Sequence, residues 1–238
     1  MAKTIADCFS RIYAINLPER QDRRDALLRH LRHLQVAPEQ GRMEIFPAIR
    51  PDSAGGFVNR GVRGCFLSHS GVARRALDER LESVLVLEDD VLFSPLLQER
   101  VEVIHRELRD QKWGFVYLGH PLDVKPGVDG RILVPVTGDI MLAHCYGVHA
   151  SVLPALVEFY ESLLERPPGH PDGGPMHLDG AISFFRARHP EYLTLAAAPS
   201  LAGQRPSRSD LTPRWFDRVW GLREGVGFLR RLKSTRPS

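Results

Sequence analysis

The chain alternates between two hydrophobic periods, which predicts that short strands and amphipathic helices follow one another. Residues 11–16 are a short, mainly apolar run that ends at Asn16, which is typical of a buried strand. Residues 20–34 instead repeat leucine every three or four positions, which predicts a helix with one apolar face. The chain therefore opens with a strand followed by a helix.

The rest of the chain continues this pattern. Helices are predicted near residues 65–80, 94–109 and 151–165, strands at residues 84–87, 114–119, 131–136, 145–149 and 193–198, and irregular loops at residues 51–64 and 166–174. Pro154 falls in the first turn of its helix, where proline is tolerated. This alternation indicates an α/β fold with a mostly parallel central sheet flanked by helices. Ligands of such folds bind beyond the carboxyl ends of the strands.

Three adjacent carboxylates, Glu88, Asp89 and Asp90, directly follow the apolar strand at residues 84–87. Packed together they would repel one another unless a positive charge lay among them. Mg²⁺ and Mn²⁺ prefer oxygen ligands and commonly bridge carboxylates to substrate phosphates. We therefore predict a divalent-metal site formed by these three residues, with Asp90 as the direct ligand and Asp89 supporting it. An exposed acidic turn that caps the next element is the alternative.

Length and cysteine content narrow the class of protein. The chain has 238 residues, enough for one large domain or two small ones without disulfides. Cys8, Cys65 and Cys145 are far apart and odd in number, which fits neither a disulfide framework nor a structural zinc site and indicates a reducing compartment. No apolar run approaches the roughly 18 residues of a membrane span, and the first residues lack a long apolar core. We expect a soluble, cytoplasmic protein.

The net charge of +3 is modest, but positive charge is concentrated after residue 204, where nine Lys or Arg residues accompany three acidic ones. Apolar residues recur there with helical spacing, at Trp215, Val219, Leu222, Val226 and Leu229. We predict a globular domain at residues 1–212 and a basic amphipathic tail at residues 213–238. The tail could pack on the domain or contact anionic lipid at the inner face of the plasma membrane. A nucleic-acid partner is not expected.

Five blocks of sequence occur in an order that resembles the bacterial family 25 glycosyltransferases. They are Ile-Asn-Leu at residues 15–17 with Asp22-Arg23, Gly-Cys-Phe-Leu-Ser-His at 64–69, Leu-Glu-Asp-Asp-Val at 87–91, Asp179 ahead of a helix, and Gln204 with Ser-Arg-Ser-Asp at 207–210. The likeness spans about residues 11–212. It implies a GT-A-like nucleotide-sugar-binding fold and a role in lipopolysaccharide or related glycan synthesis, in a family related to the collagen galactosyltransferases.

The resemblance also implies a reaction. It implies inverting transfer of a hexose, often galactose, from a UDP-sugar to a hydroxyl of a glycan acceptor, assisted by Mn²⁺ or Mg²⁺. The physical argument agrees, because an ion held by carboxylates stabilises the charge that develops on the leaving diphosphate. One position departs from the family, since Val62 stands where an acidic residue is usual. This departure bears on donor specificity and on activity.

Several blocks supply candidate donor-binding residues. Asn16 can both donate to and accept from the uracil or ribose, and Glu88 is expected to hold the ribose or the donor sugar. Ser68 and His69 are predicted to open a helix, where backbone amides and the helix dipole favour phosphate. Capping by Ser68 and a buried, hydrogen-bonded His69 are the alternative. The remaining candidates are Arg23, Asp89, Gln204 and Arg208.

Inverting transfer also needs a base that takes the proton of the acceptor hydroxyl. Asp179 follows a Pro- and Gly-rich loop and precedes an apolar helix, so its carboxylate is our candidate catalytic base. An ordinary helix N-cap is the alternative, and the two roles are compatible. His177 is the second candidate base.

Two other functions compete with sugar transfer. A sugar-phosphate nucleotidyltransferase would also use metal-binding carboxylates at strand ends, but residues 16–20 lack the Gly-rich phosphate loop that would favour it. A nucleotide-sugar-binding module without turnover is the non-enzymatic alternative, and Val62 is the residue that favours it.

Overall fold

The computed structural model of the protein describes residues 3–38 and 41–205. Its helices are α1 (Gln21–His33), α2 (Arg60–Asp78), α3 (Leu96–Asp110), α4 (Leu153–Glu165) and α5 (Leu178–Arg188), and one 3₁₀ turn covers Ile5–Cys8. Its strands are β1 (Arg11–Asn16), β2 (Met43–Pro47), β3 (Ser83–Glu88), β4 (Val91–Phe93), β5 (Phe115–Tyr117), β6 (Leu133–Pro135), β7 (Cys145–His149), β8 (Thr194–Ala197) and β9 (Ala202–Gln204). The described residues through Gln204 form one compact unit.

Seven strands form the central sheet, in the order β2-β1-β3-β7-β5-β8-β6, and β4 pairs with β9 in a separate two-stranded sheet. In the central sheet β1, β2, β3, β5 and β8 run in one direction, and β6 and β7 run in the other. The predicted α/β fold with a mostly parallel sheet is confirmed.

The sheet lies between two apolar layers, and β3 shows why its sequence is apolar at every position. Successive side chains of a strand point to opposite faces. Leu85 and Leu87 pack in the layer that contains α1 and α3, whereas Val84 and Val86 pack in the layer formed with α2, α4 and α5. A strand buried on both faces has no solvent side on which polar residues could alternate.

The sheet topology places the acidic segment beside Asn16. Strands β1 and β3 are parallel neighbours, with Ile15 opposite Glu88, so their carboxyl ends meet at one edge of the sheet. The chain then turns at residues 89–90 into β4, whose Val91 pairs with Gln204 of β9. Two distant blocks of the sequence are thereby brought to the same edge.

The beginning of α2 differs from the prediction. The helix begins at Arg60, five residues before the predicted position, because Asn59 caps it by accepting a hydrogen bond from the Val62 N–H at 2.9 Å. The predicted loop at residues 51–64 is therefore wrong over its last five residues. Strands β2, β4 and β9 were not predicted; β4 and β9 have only three residues each, and β2 is an edge strand that ends in proline.

Several predictions concern residues outside the described part of the chain. These are Arg208, the domain boundary at residue 212, and the basic tail at residues 213–238 with its proposed membrane contact. None of the helices in residues 3–38 and 41–205 combines the length and the apolar composition of a membrane-spanning segment.

Candidate active site

A cleft of about 530 Å³ opens at the edge of the sheet where β1 and β3 end. Its walls are the ends of these strands, the loop at residues 48–51 and the first three turns of α2, and residues 88–90 form its floor. A larger cleft of about 990 Å³ is lined by Ser10, Ser83 and Gly114, at the opposite edge of the sheet. Because ligands of α/β folds bind beyond the carboxyl ends of the strands, the smaller cleft is the candidate site.

Asp89 is held by two of the predicted donor-binding residues. Its Oδ1 accepts a hydrogen bond from Arg23 Nη1 at 3.0 Å, and its Oδ2 accepts one from Asn16 Nδ2 at 2.8 Å. Asn16 also donates to the backbone oxygen of Arg20 at 3.2 Å. The structure thus brings these three candidate residues together, and the positive charge beside Asp89 belongs to Arg23. Both oxygens of Asp89 are engaged within the protein.

Glu88 is held by Gln204 and His69. Gln204 Nε2 donates to Glu88 Oε2 at 3.1 Å, and His69 Nε2 lies 3.5 Å from Glu88 Oε1. Burial raises the pKa of Glu88, but hydrogen bonding to His69, the charges of His69 and His144 and the Gln204 hydrogen bond outweigh it and leave the pKa below its usual value. Glu88 is therefore an ionised carboxylate at neutral pH.

Asp90 is the acidic side chain that retains a free oxygen. Its Oδ1 is buried and has no hydrogen-bond partner among the described residues. Burial, together with the charges of Glu88 and Asp89, raises the pKa of Asp90 to about 6. An unsatisfied oxygen on a destabilised carboxylate is what a hard divalent cation would bind, so the residues present fit the predicted Mn²⁺ or Mg²⁺ site, with Asp90 as the direct ligand.

The raised pKa of Asp90 predicts a pH-dependent stability in the absence of metal. Because the folded protein binds this proton more tightly than the unfolded chain does, the contribution of Asp90 to the unfolding free energy falls as pH rises from about 4 to about 6. Asp90→Asn removes the ionisable carboxyl and therefore this loss of unfolding free energy at high pH. The variant should be more stable than wild type by at most about 3 kcal/mol at about pH 8, and the two proteins should be nearly equally stable at about pH 4. Urea denaturation in EDTA at both pH values measures the difference. An equal difference at both would contradict the assignment.

Ser68 and His69 lie in the interior of α2, so the prediction that they open the helix is wrong. Ser68 Oγ donates to the Gly64 carbonyl at 2.6 Å and accepts from the Ile49 N–H at 2.8 Å, which ties the loop at residues 48–51 to the helix. Because α2 begins two turns earlier, the free amides of its first turn are not beside Ser68. Both residues nevertheless line the cleft.

His69 is buried and fixed on both sides. Its Nδ1 lies 3.0 Å from the hydroxyl of Tyr146, and the two rings stack with centroids 5.8 Å apart. Its Nε2 faces Glu88. No sequence pattern points to Tyr146, which lies in β7 opposite Val86 and enters the site only through sheet pairing.

Asp179 lies in the first turn of α5, two residues beyond the N-cap position held by His177. Its Oδ2 accepts from the Leu142 N–H at 3.1 Å and its Oδ1 from the Gly180 N–H at 2.8 Å. The carboxylate therefore has a structural role at the helix start. It is not part of the cleft lining, but its negative charge reaches Cys65 on the cleft wall.

Cys65 is exposed on the wall of the cleft. Desolvation by the surrounding walls, followed by the charges of Glu88, Asp179 and Asp90, raises the pKa of its thiol to about 12. The thiol therefore lies within the electrostatic reach of both the acidic turn and the candidate base. Cys65 and His69 are one helical turn apart, so both side chains lie on one face of α2. This spacing of four residues is visible in the sequence.

Gly64, which precedes Cys65, is fixed by a close approach. A Cβ at this position would lie 2.7 Å from the Ile49 carbonyl oxygen, so only glycine lets α2 pack against the loop that forms the cleft wall. The Gly-Cys-Phe-Leu-Ser-His block thus combines a packing requirement at Gly64 with side chains that face the cleft.

Comparison with known proteins finds the family that the sequence blocks resemble. The model described as "Glycosyltransferase family 25 (LPS biosynthesis protein)" matches residues 9–125, which include Asn16, the α2 block and the acidic turn. Procollagen galactosyltransferase 1-B from Xenopus laevis is 30% identical over 151 residues, 52% of this chain and 24% of that protein. The chain spans about a quarter of the length of the curated relatives it matches.

Two further likenesses bear on activity and fold. Inactive glycosyltransferase 25 family member 3 from Homo sapiens is 28% identical over 129 residues, 47% of this chain and 22% of that protein. A solved glycosyltransferase involved in the glycosylation of the major capsid of PBCV-1 matches with a TM-score of 0.52 at 13% identity, covering 84% of this chain and 94% of that one. The structural likeness concerns the fold alone and confirms the GT-A-like architecture.

Proposed function

We propose, on the premise that residues 9–125 of this chain belong to glycosyltransferase family 25, that the protein transfers a hexose from a UDP-sugar to a hydroxyl of a glycan. The observation that carries the proposal is the acidic turn beside Asn16. Both lie at the carboxyl ends of parallel neighbouring strands, within the segment that matches the family. The turn also forms the floor of a cleft of about 530 Å³.

The donor would lie in this cleft, with its diphosphate near Asp90. Arg23 and Asn16 fix Asp89, and His69 and Gln204 fix Glu88, so both carboxylates are already oriented in the absence of a ligand. Because these carboxylates need not reorient when a donor binds, such preorganisation lowers the free-energy cost of holding the donor in a reactive position. A bound Mn²⁺ or Mg²⁺ supplies electrostatic stabilisation of the leaving diphosphate.

The acceptor would approach from the side of Asp179, which we propose as the base of an inverting transfer. The charges of Glu88, Asp179 and Asp90 all act on the Cys65 thiol, which supports a position of the candidate base close to the donor site. We propose galactose as the sugar, because relatives of this chain are procollagen galactosyltransferases. For the acceptor we propose a glycan of cell-surface lipopolysaccharide or a related polymer, glycosylated in the cytoplasm.

Val62 supports a second candidate, a nucleotide-sugar-binding module without turnover. Its backbone N–H completes the Asn59 cap, and its side chain packs against the apolar layer on this side of the sheet. Valine at this position contributes packing, lies outside the cleft lining and carries no charge with which to bind a ligand. The match to an inactive family member makes the distinction worth measuring.

Release of UDP from a panel of UDP-sugars separates the two candidates. The purified protein is incubated with each sugar and Mn²⁺, with and without a glycan acceptor, and free UDP is measured. A glycosyltransferase releases UDP from one donor above the protein-free rate, and hydrolysis without acceptor already excludes the module. No release from any donor, despite donor binding, would establish the module instead.

A further inference from the structure

Three side chains in the cleft form a cluster with the composition of a zinc site. Cys65 Sγ, a ring nitrogen of His69 and a carboxylate oxygen of Glu88 all lie within 4.8 Å of one another. Cys65 and His69 are one turn apart on α2, and Glu88 reaches them from the end of β3. Two ligands at i and i+4 on one helix face are a common way to hold zinc.

The distances suit a tetrahedral ion. His69 Nε2 and Glu88 Oε1 are 3.5 Å apart, and two ligand atoms at about 2.1 Å from a tetrahedral zinc ion are themselves about 3.4 Å apart. A thiolate sulfur at about 2.3 Å from zinc lies about 3.6 Å from the other ligands, so Sγ needs to approach by about 1 Å. Cys65 is exposed on the cleft wall, and a change of its χ1 would be the movement that brings Sγ to the other two ligands.

Tyr146 can form a hydrogen bond with His69 both in the metal-free cluster and in the metal-bound cluster. The Tyr146 hydroxyl can donate to Nδ1, which leaves an N–H on Nε2 to face Glu88, or it can accept from an Nδ1–H, which leaves the Nε2 lone pair for a metal. A hydrogen bond to the second ring nitrogen is the usual support of a metal-binding histidine. The stacked rings hold the imidazole in the same orientation in both cases.

We propose that Cys65, His69 and Glu88 bind Zn²⁺ at a site distinct from the hard-cation position at Asp90, with the fourth coordination position open to the cleft. A thiolate and an imidazole select zinc over Mg²⁺ or Mn²⁺, whereas Asp90 offers oxygen alone. Binding releases the thiol proton. If the cleft binds a nucleotide sugar, as proposed above, zinc would occupy Glu88 and His69 and inhibit donor binding.

Titration with Co²⁺ as a spectroscopic substitute tests the site independently of any enzymatic activity. Wild type should develop the near-ultraviolet absorption of a thiolate-to-cobalt charge transfer, and Zn²⁺ should abolish it. Cys65→Ser should lose the absorption and weaken Zn²⁺ binding by about 100-fold or more, measured by competition with a chromophoric chelator. Cys8→Ser is the matched control. It should keep the cobalt absorption and the wild-type affinity for Zn²⁺, because Cys8 lies outside the cleft lining.

Two further variants keep the test decisive. Asp90→Asn should retain the cobalt absorption, and Glu88→Gln should weaken it, with melting temperatures confirming that each variant is folded. Absence of the absorption in wild type, or its persistence in Cys65→Ser, would overturn the proposal. Zinc inhibition of UDP release, measured against each variant's own zinc-free rate, should disappear in Cys65→Ser. If cobalt absorption is present but inhibition is absent, the zinc site stands and its competition with the donor is refuted.

Discussion

Replacing Asp90 with asparagine should reduce the rate of sugar transfer by about 10²- to 10³-fold while the protein remains folded. The reason is electrostatic: Asp90 Oδ1 is the buried oxygen without a partner in the described part of the site, and the amide that replaces it carries no charge with which to bind a divalent cation. The leaving diphosphate would then lose its main stabilisation. Rates of UDP release at saturating Mn²⁺ give the ratio.

The control for Asp90→Asn is Asp129→Asn, since Asp129 is an exposed carboxylate paired with Arg131 outside the cleft lining. This variant should keep the wild-type rate. The account of the metal site would be contradicted by full activity of Asp90→Asn. Undiminished wild-type activity in excess EDTA would contradict it equally.

Asp179→Asn should reduce transfer to the acceptor by about 10²- to 10⁴-fold with little change in the affinity for UDP-sugar. A carboxamide cannot take the proton of the acceptor hydroxyl, whereas the donor site at residues 88–90 does not contact Asp179 through any described hydrogen bond or ion pair. Donor affinity is measured by calorimetry and transfer by product formation, because their separation distinguishes loss of the base from loss of the site.

The structural role of Asp179 calls for its own control. Asparagine retains one oxygen to accept from the Leu142 or Gly180 N–H, so the unfolding free energy should fall by about 1 kcal/mol. Asp179→Ala removes both acceptors and should cost more stability for a similar loss of transfer. If transfer and donor affinity fall together in Asp179→Asn, the residue builds the site and another group acts as base.

The sequence was most informative where burial alone determines structure. Residues 84–87 must be buried on both faces, and the α/β pattern places Asn16 and residues 88–90 at the carboxyl ends of strands. That β1 and β3 are direct neighbours depends on the strand order β2-β1-β3, which the sequence pattern does not determine. The beginning of α2 was not predictable from the sequence, because the segment before Cys65 is rich in glycine and only the single capping residue Asn59 marks the start of the helix. This error placed Ser68 at a helix end when it lies in the interior.

Interactions between distant residues set the remaining features of the site. The pairing of Arg23 with Asp89, and the position of Tyr146 behind His69, depend on how α1 and β7 pack against the sheet. No periodicity in the sequence encodes such pairs. The same contacts explain why Asp90, among three adjacent carboxylates, is the one left with a free oxygen.

We propose that the cleft binds a nucleotide sugar together with a divalent cation. Thermal denaturation with and without UDP-sugars and Mn²⁺ tests it directly, because a ligand that binds the folded protein alone raises the melting temperature. At about 100 times the dissociation constant the gain is about 2.7 kcal/mol, or a rise of about 5 to 10 °C for a domain of this size. We predict this rise for wild type only when donor and Mn²⁺ are both present, and not for Asp90→Asn. An equal rise in EDTA would show that donor binding needs no divalent cation, and no rise with any UDP-sugar would show that the cleft does not bind such a donor.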